Sequence, residues 1–142
     1  MAHYRGTIPS ARTPEAAFAY MADFSNAAEW DPSVNRAKRL DEAPLGVGSQ
    51  FELALTFAGR PIELIYDVTE YDEAARRIVL QANNGATTSI DTITVADDAA
   101  VTYDARLELT GLAKVIDPIM QLVFKRIGDN ASAELGRILS RA

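Results

Sequence analysis

The sequence predicts an α+β domain in which a curved antiparallel sheet of seven strands wraps around one long C-terminal helix, with two short helices after the first strand. Two observations carry that prediction. Ile116, Met120, Val123, Ile127, Ala131, Leu135 and Ile138 recur at three- and four-residue spacing, so one apolar stripe runs along residues 117–141. At 1.5 Å per residue such a helix reaches about 36 Å, enough to lie across a small sheet. Between residues 34 and 110 the chain instead alternates with period two, segment after segment, and a run of strands with helices at its two ends argues against a parallel βαβ layout. A single helix gripped by a curved sheet tends to enclose a cavity.

The elements follow in order. Residues His3 to Ser10 read as a strand, and Thr13-Pro14-Glu15 then opens a helix, with threonine as N-cap, proline at the first helical position and an acid in the first turn. Ala17, Phe18, Met21 and Phe24 form its buried face, and Ser25 is expected to cap a second short helix, Asn26 to Trp30. Asp31-Pro32 stops that helix, because the residue before proline is pushed out of the α region. A polar strand, Val34 to Leu40, is followed by the turn-rich stretch Asp41 to Gly48; Gly46-Val47-Gly48 precedes a strand and has no third glycine, so it reads as a turn, not a phosphate loop.

Phe51, Leu53, Leu55 and Phe57 then share one strand face. Ala58-Gly59-Arg60-Pro61 forms a hairpin turn, and Ile62, Leu64, Tyr66 and Val68 continue the pattern. Further strands are expected over Arg76 to Ala82, Thr87 to Val95 and Val101 to Leu109, separated by turns at 72–75, Asn83-Asn84-Gly85 and Asp97-Asp98. Asp117-Pro118 marks the start of the long helix, with Asp117 as its cap. Gly128 and Gly136 inside it each cost about 1 kcal/mol relative to alanine, which predicts close packing or local give; a helix that lifts would gate a cavity.

Composition narrows the function classes. The 142 residues suit a single domain spanning 1–142, with 48% hydrophobic and 24% charged residues, so a real core is expected. A net charge of −6, with scattered basic residues, would repel a phosphate backbone and argues against nucleic acid as a partner. There is no cysteine, and the only histidine is His3, which removes thiolate chemistry, the serine and cysteine triads and the usual zinc sites. No metal and no cofactor are expected, with a carboxylate-only metal site as the alternative left open. Without a long apolar run or leader pattern, the expected location is the cytoplasm, with no integral membrane association and a homodimer left open.

This element order, with Thr13-Pro14-Glu15, Asp23-Phe24-Ser25-Asn26, Trp30-Asp31-Pro32, Gly46-Val47-Gly48-Ser49 and the closing amphipathic helix, resembles the START/Bet v 1-like (SRPBCC) superfamily. Within it, the chain looks like the bacterial polyketide cyclase/dehydrase-type branch, and the resemblance covers essentially all of the chain. It implies a helix-grip fold with a cavity open to a hydrophobic ligand. That superfamily includes lipid carriers, hormone receptors, aromatic cyclases, quinone-binding proteins, co-chaperone domains and toxin-like proteins, so chemistry must be argued from the lining residues.

The apolar candidates for ligand contact are Phe51, Leu53, Leu55, Phe57, Leu64, Leu107, Met120 and Val123. The same side chains also serve as ordinary core. Trp30 would sit at the end of the second helix, where the resemblance places one rim of the cavity, or pack under the first helix. Tyr66 and Tyr103 lie in register with the apolar faces of their strands, and each phenol needs a partner in the protein or in a ligand. Asp91 shares parity with Ser89, Ile93 and Val95; facing inward, its pKa would rise and make it a candidate acid or base. The alternative is that Ile90 faces inward and Asp91 is solvated or pairs with Arg106. Glu70 and Arg76 are expected to form a surface ion pair. The expected function is binding of a hydrophobic or amphipathic small molecule such as a lipid, quinone or polyketide-like ring. The alternatives are a cyclase/dehydratase-type enzyme and a toxin-like or co-chaperone-like interaction module. No catalytic residue is assigned.

Overall fold

The structure, a computed structural model, describes residues 2–57, 59–85, 87–109 and 117–141. Seven strands, β1 (Ala2–Ile8), β2 (Val34–Arg39), β3 (Gln50–Phe57), β4 (Arg60–Asp72), β5 (Arg77–Asn83), β6 (Thr87–Val95) and β7 (Val101–Leu109), form one sheet in the order β1-β7-β6-β5-β4-β3-β2. Every neighbouring pair is antiparallel. β2 to β7 run as a meander, whereas β1 and β2, consecutive in sequence, lie at opposite edges. The helices α1 (Pro14–Ala22) and α2 (Ala27–Trp30) carry the chain across between them. The long helix α3 (Asp117–Leu139) lies along β1 and runs in the same direction: Gln121 bonds the backbone of His3, Ser132 meets Tyr4, and Ala11 N donates to Leu139 O at 2.8 Å.

Local chemistry explains the connections. The Thr13 hydroxyl accepts from Ala16 N at 3.1 Å, as an N-cap should, with Pro14 at the first helical position. The next cap differs from expectation. Asp23, not Ser25, holds the turn before α2: its carboxylate accepts from Ser25 N at 3.2 Å and Ser25 Oγ at 2.5 Å, and residues Phe24–Asn26 form a 3-10 turn ahead of α2. Both donors reach the same carboxylate oxygen, Oδ1, through its two lone pairs. β1 ends at Ile8, two residues early, because Ser10 leaves the sheet: its hydroxyl accepts from Arg12 N and donates to the Leu139 carbonyl at the end of α3.

Glu70 pairs with Arg77, at 3.0 Å, and not with Arg76. Arg76 occupies the turn at φ +51°, and its guanidinium reaches Asp97 and the Val95 carbonyl. The ladder register shifts between Val68 and Glu70 in β4 and between Val34 and Arg36 in β2, the kind of irregularity that adds local twist to a sheet. At the Gly46-Val47-Gly48 turn, Gly48 adopts φ +94°, consistent with the turn reading.

Candidate functional site

Between the concave face of the sheet and α3 lies a cavity of about 480 Å³. Strand alternation decides which side chains reach it. On β3 and β4, Leu53 faces Leu64 across the ladder and Leu55 faces Ile62, so the same parity lines one wall. Ala105 and Leu107 on β7 form the floor, and Phe124, Ile127, Gly128 and Ala131 of α3 form the roof. Phe57 and Arg60 stand at the β3–β4 hairpin.

One end of this cavity is polar. Asp91 points inward and is 3% exposed, which resolves the parity of β6, with Ile90 on the other face. Its partner is Tyr103, whose hydroxyl donates to Oδ2 at 2.9 Å; Arg106 pairs instead with Asp104 at 3.5 Å. Burial pushes the Asp91 carboxyl up to about 7, against the pull of the Tyr103 hydrogen bond, and the nearby Asp31 charge adds to the rise. Tyr66 and Ser89 share a hydrogen bond of 3.0 Å in the same wall. Both buried phenols are held well above their ordinary pKa, first by desolvation and then by the Asp91 charge.

Asp31, which ends α2, completes this group. Its Oδ1 accepts from Ser33 N at 2.9 Å and Ser33 Oγ at 2.7 Å. The residue keeps part of its surface accessible, yet its carboxyl is packed deeply enough for burial to raise its pKa. Trp30, beside it, is not at a rim: it is 1% exposed and packs edge-on against Tyr103, with ring centroids 5.2 Å apart, and against Phe24 at 6.2 Å. Its indole N–H is buried without a partner.

Of the residues singled out in the sequence, the fold brings Trp30, Leu53, Leu55, Phe57, Leu64 and Tyr66 to the cavity wall, together with Asp91, Tyr103 and Leu107. Phe51 is not among them. It is fully buried one layer away, against Phe24 at 6.3 Å and under the Arg39 guanidinium. Val123 turns away from the cavity to a shallow outer groove with Thr56, Leu122, Arg126 and Asn130, because the helix face is centred on Phe124, Gly128, Ala131 and Leu135, about 100° round from it. The side chain of Met120, like all of Ile116, lies outside the described residues.

Gly128 sits at the centre of that face for a physical reason: a Cβ there would lie 2.3 Å from the Tyr4 ring. The expected close packing of this glycine is therefore present, and Tyr4 is keyed further by a 2.7 Å hydrogen bond between its hydroxyl and Ser132. Asp31, Phe24, Phe124 and Tyr4 were not singled out as site residues. Parity and helical spacing could have found Phe124, three residues before Ile127 and four before Gly128, but no pattern announces Asp31, whose inward position depends on how α2 ends. Among the described residues, no cluster of three or more metal-type ligands occurs and no helix is long and apolar enough to cross a membrane.

A curved seven-stranded sheet around a C-terminal helix, with a cavity between them, defines the helix-grip class of the START/Bet v 1-like superfamily. The chain belongs to the polyketide cyclase/dehydrase and lipid transport family, whose model matches residues 1–139. Among solved structures it is similar to a START superfamily protein from Mycobacterium smegmatis, at TM-score 0.74 and 16% identity over 98% of this chain and 97% of that one. It is similar to the Zhui aromatase/cyclase from Streptomyces sp. R1128, at TM-score 0.70 and 16% identity over 98% and 96%. It is likewise similar to the major latex-like protein 151 of Panax ginseng, at TM-score 0.72 and 11% identity over 97% of both chains. At these identities the likeness is one of fold. Among curated proteins, none matches the chain in sequence.

Proposed function

We propose that this protein takes up a hydrophobic or amphipathic small molecule, such as a lipid, quinone or polyketide-like ring, between the sheet and α3. The supporting observation is the cavity itself: about 480 Å³, walled by leucines and aromatics, with two carboxyls and their hydroxyl partners at one end and Arg60, Asn84 and Thr87 toward the hairpins. Transfer of apolar ligand surface from water would supply the affinity, at about 25 cal/mol per Å², and the polar end would orient the molecule. A cysteine-free chain suits the cytoplasm, where we place it.

Native mass spectrometry of the purified protein, followed by extraction of what co-purifies, tests this reading. A hydrophobic molecule bound near one-to-one is the expected result, and Ala105→Phe, which fills the floor, should lose it while keeping the fold. A protein that stays empty when offered candidate lipids and quinones, in wild type as in the variant, would remove the container reading.

One observation favours a second reading, a cyclase or dehydratase. A carboxyl held at about 7 and bonded to a phenol can give or take a proton near neutral pH. Under that reading Asp91→Asn and Tyr103→Phe abolish turnover of a polyketide-like substrate, whereas in a pure carrier they only shift affinity.

A further inference from the structure

Among the described residues, the end of the cavity beside α2 and the middle of β6 contains two acids and no base. Asp31 and Asp91 both line it, and their nearest polar neighbours on the wall are hydroxyls: Ser33 bonded to Asp31, Tyr103 bonded to Asp91, and the Tyr66–Ser89 pair. The one cation on the described wall is Arg60, six residues before Tyr66 on β4, roughly 20 Å away along an extended strand. It is exposed and stands at the hairpin end. The backbone amides of the floor and walls are committed to the sheet ladders, so they offer an incoming anion nothing.

From this arrangement we infer that the cavity selects hydrophobic molecules whose polar end donates a hydrogen bond and carries no negative charge, such as an alcohol, phenol or amine, and excludes carboxylates of the same size. The inference rests on the container reading above and specifies its ligand class. A hydroxyl or ammonium can donate to Asp91 or Asp31, whereas a fatty-acid carboxylate would bring a third acid into a site with no basic partner, where low dielectric strengthens the repulsion. A hydroxyl suits this setting because it can donate to a carboxylate and accept from a wall hydroxyl. The raised carboxyl of Asp91 is consistent with an end that already holds as much negative charge as it tolerates.

Isothermal titration with 1-octanol, octylamine and octanoate at pH 8 tests this directly, because the three share one tail and differ only in their heads. Octanol and octylamine should each bind at least tenfold more tightly than octanoate. In Asp91→Asn and in Asp31→Asn, each about isosteric with the wild-type residue, the octanol-to-octanoate ratio should narrow at least threefold. Octanoate binding as tightly as octanol, or a ratio unmoved in both variants, would overturn the selectivity while leaving the container intact. Binding of none of the three, with nothing co-purifying, would instead remove the container reading and this inference with it.

Discussion

The two ends of the same sheet face are filled in opposite ways. Along the inner face of β6 the residues read Ser89, Asp91, Ile93, Val95, and along that of β7, in the opposite direction, Leu107, Ala105, Tyr103, Val101. At one end Ile93, Val95 and Val101 are buried in the same cluster as Leu135 and Leu139 of α3, and α1, packed on β6, supplies Phe18 and Met21, leaving a solid core. At the other, Ser89, Ala105, Ala27, Gly128 and Ala131 surround a hollow. Strand parity and helical periodicity are the same throughout. Side-chain volume and the position of α1 make one end core and the other a cavity.

The largest effect should separate the two ends by stability. Leu135→Ala, at the solid end, should cost about 2–5 kcal/mol in denaturant unfolding, through lost transfer energy and the void left behind. The Asp91 carboxyl gives the hollow end a signature of its own. Its folded pKa, about 7, lies above the ordinary value of 3.8, so the folded state binds more protons than the unfolded one between those values, and stability must fall as pH rises through that window. The full effect is up to about 4 kcal/mol at 1.36 kcal/mol per pH unit. Asp31, raised in the same direction, adds to it. Asp91→Asn should flatten most of the slope; thermal melts from pH 4 to 8 that superimpose for wild type and variant would contradict it.

Gly128→Ala, at the seam between the ends, should destabilise by about 1–3 kcal/mol through overpacking against Tyr4. Tyr4→Leu in the same chain should recover part of that loss; strictly additive effects would show that the contact does not matter. The smallest effect belongs to Leu55→Ala, on the cavity wall, which should cost about 1 kcal/mol because one side of the leucine already faces open space. A loss equal to that of Leu135→Ala would mean that the cavity is packed as tightly as the core.

Much of this could be read from the chain. Strict alternation in 50–57, 62–68 and 101–109 placed Leu53, Leu55, Leu64, Tyr66, Tyr103 and Leu107 on one face, because a strand has only two faces and burial chooses between them. Asp91 resisted the same logic. Its strand carries polar residues and an isoleucine on each face, Ile90 on one and Ile93 on the other, so polarity could not mark the inner side, and only pairing with Leu80 and Ala105 in the ladders fixes it. Val123 lies beside the cavity face and not on it, because a stripe drawn at spacings of three and four tolerates a turn of about 100° at its edge, and the centre of the helix face is a glycine, which no hydrophobic pattern registers. Asp31 read as a helix stop. Its second role, closing the polar end of the cavity, depends on a contact made by tertiary structure alone.

The fastening of α3 has a mechanical consequence. Its C-terminal end is tied to the loop after β1 by Ala11 N and the Ser10 hydroxyl on the Leu139 carbonyl, while at Gln121 the side-chain amide exchanges two hydrogen bonds with the backbone of His3. From Leu139 to Gln121 is about 27 Å of helix. Any rocking about the tied end therefore works as a lever: a tilt of about 5° leaves the solid core nearly still and carries Gln121 through about 2.4 Å, a stroke comparable to the radius of a hydrocarbon chain.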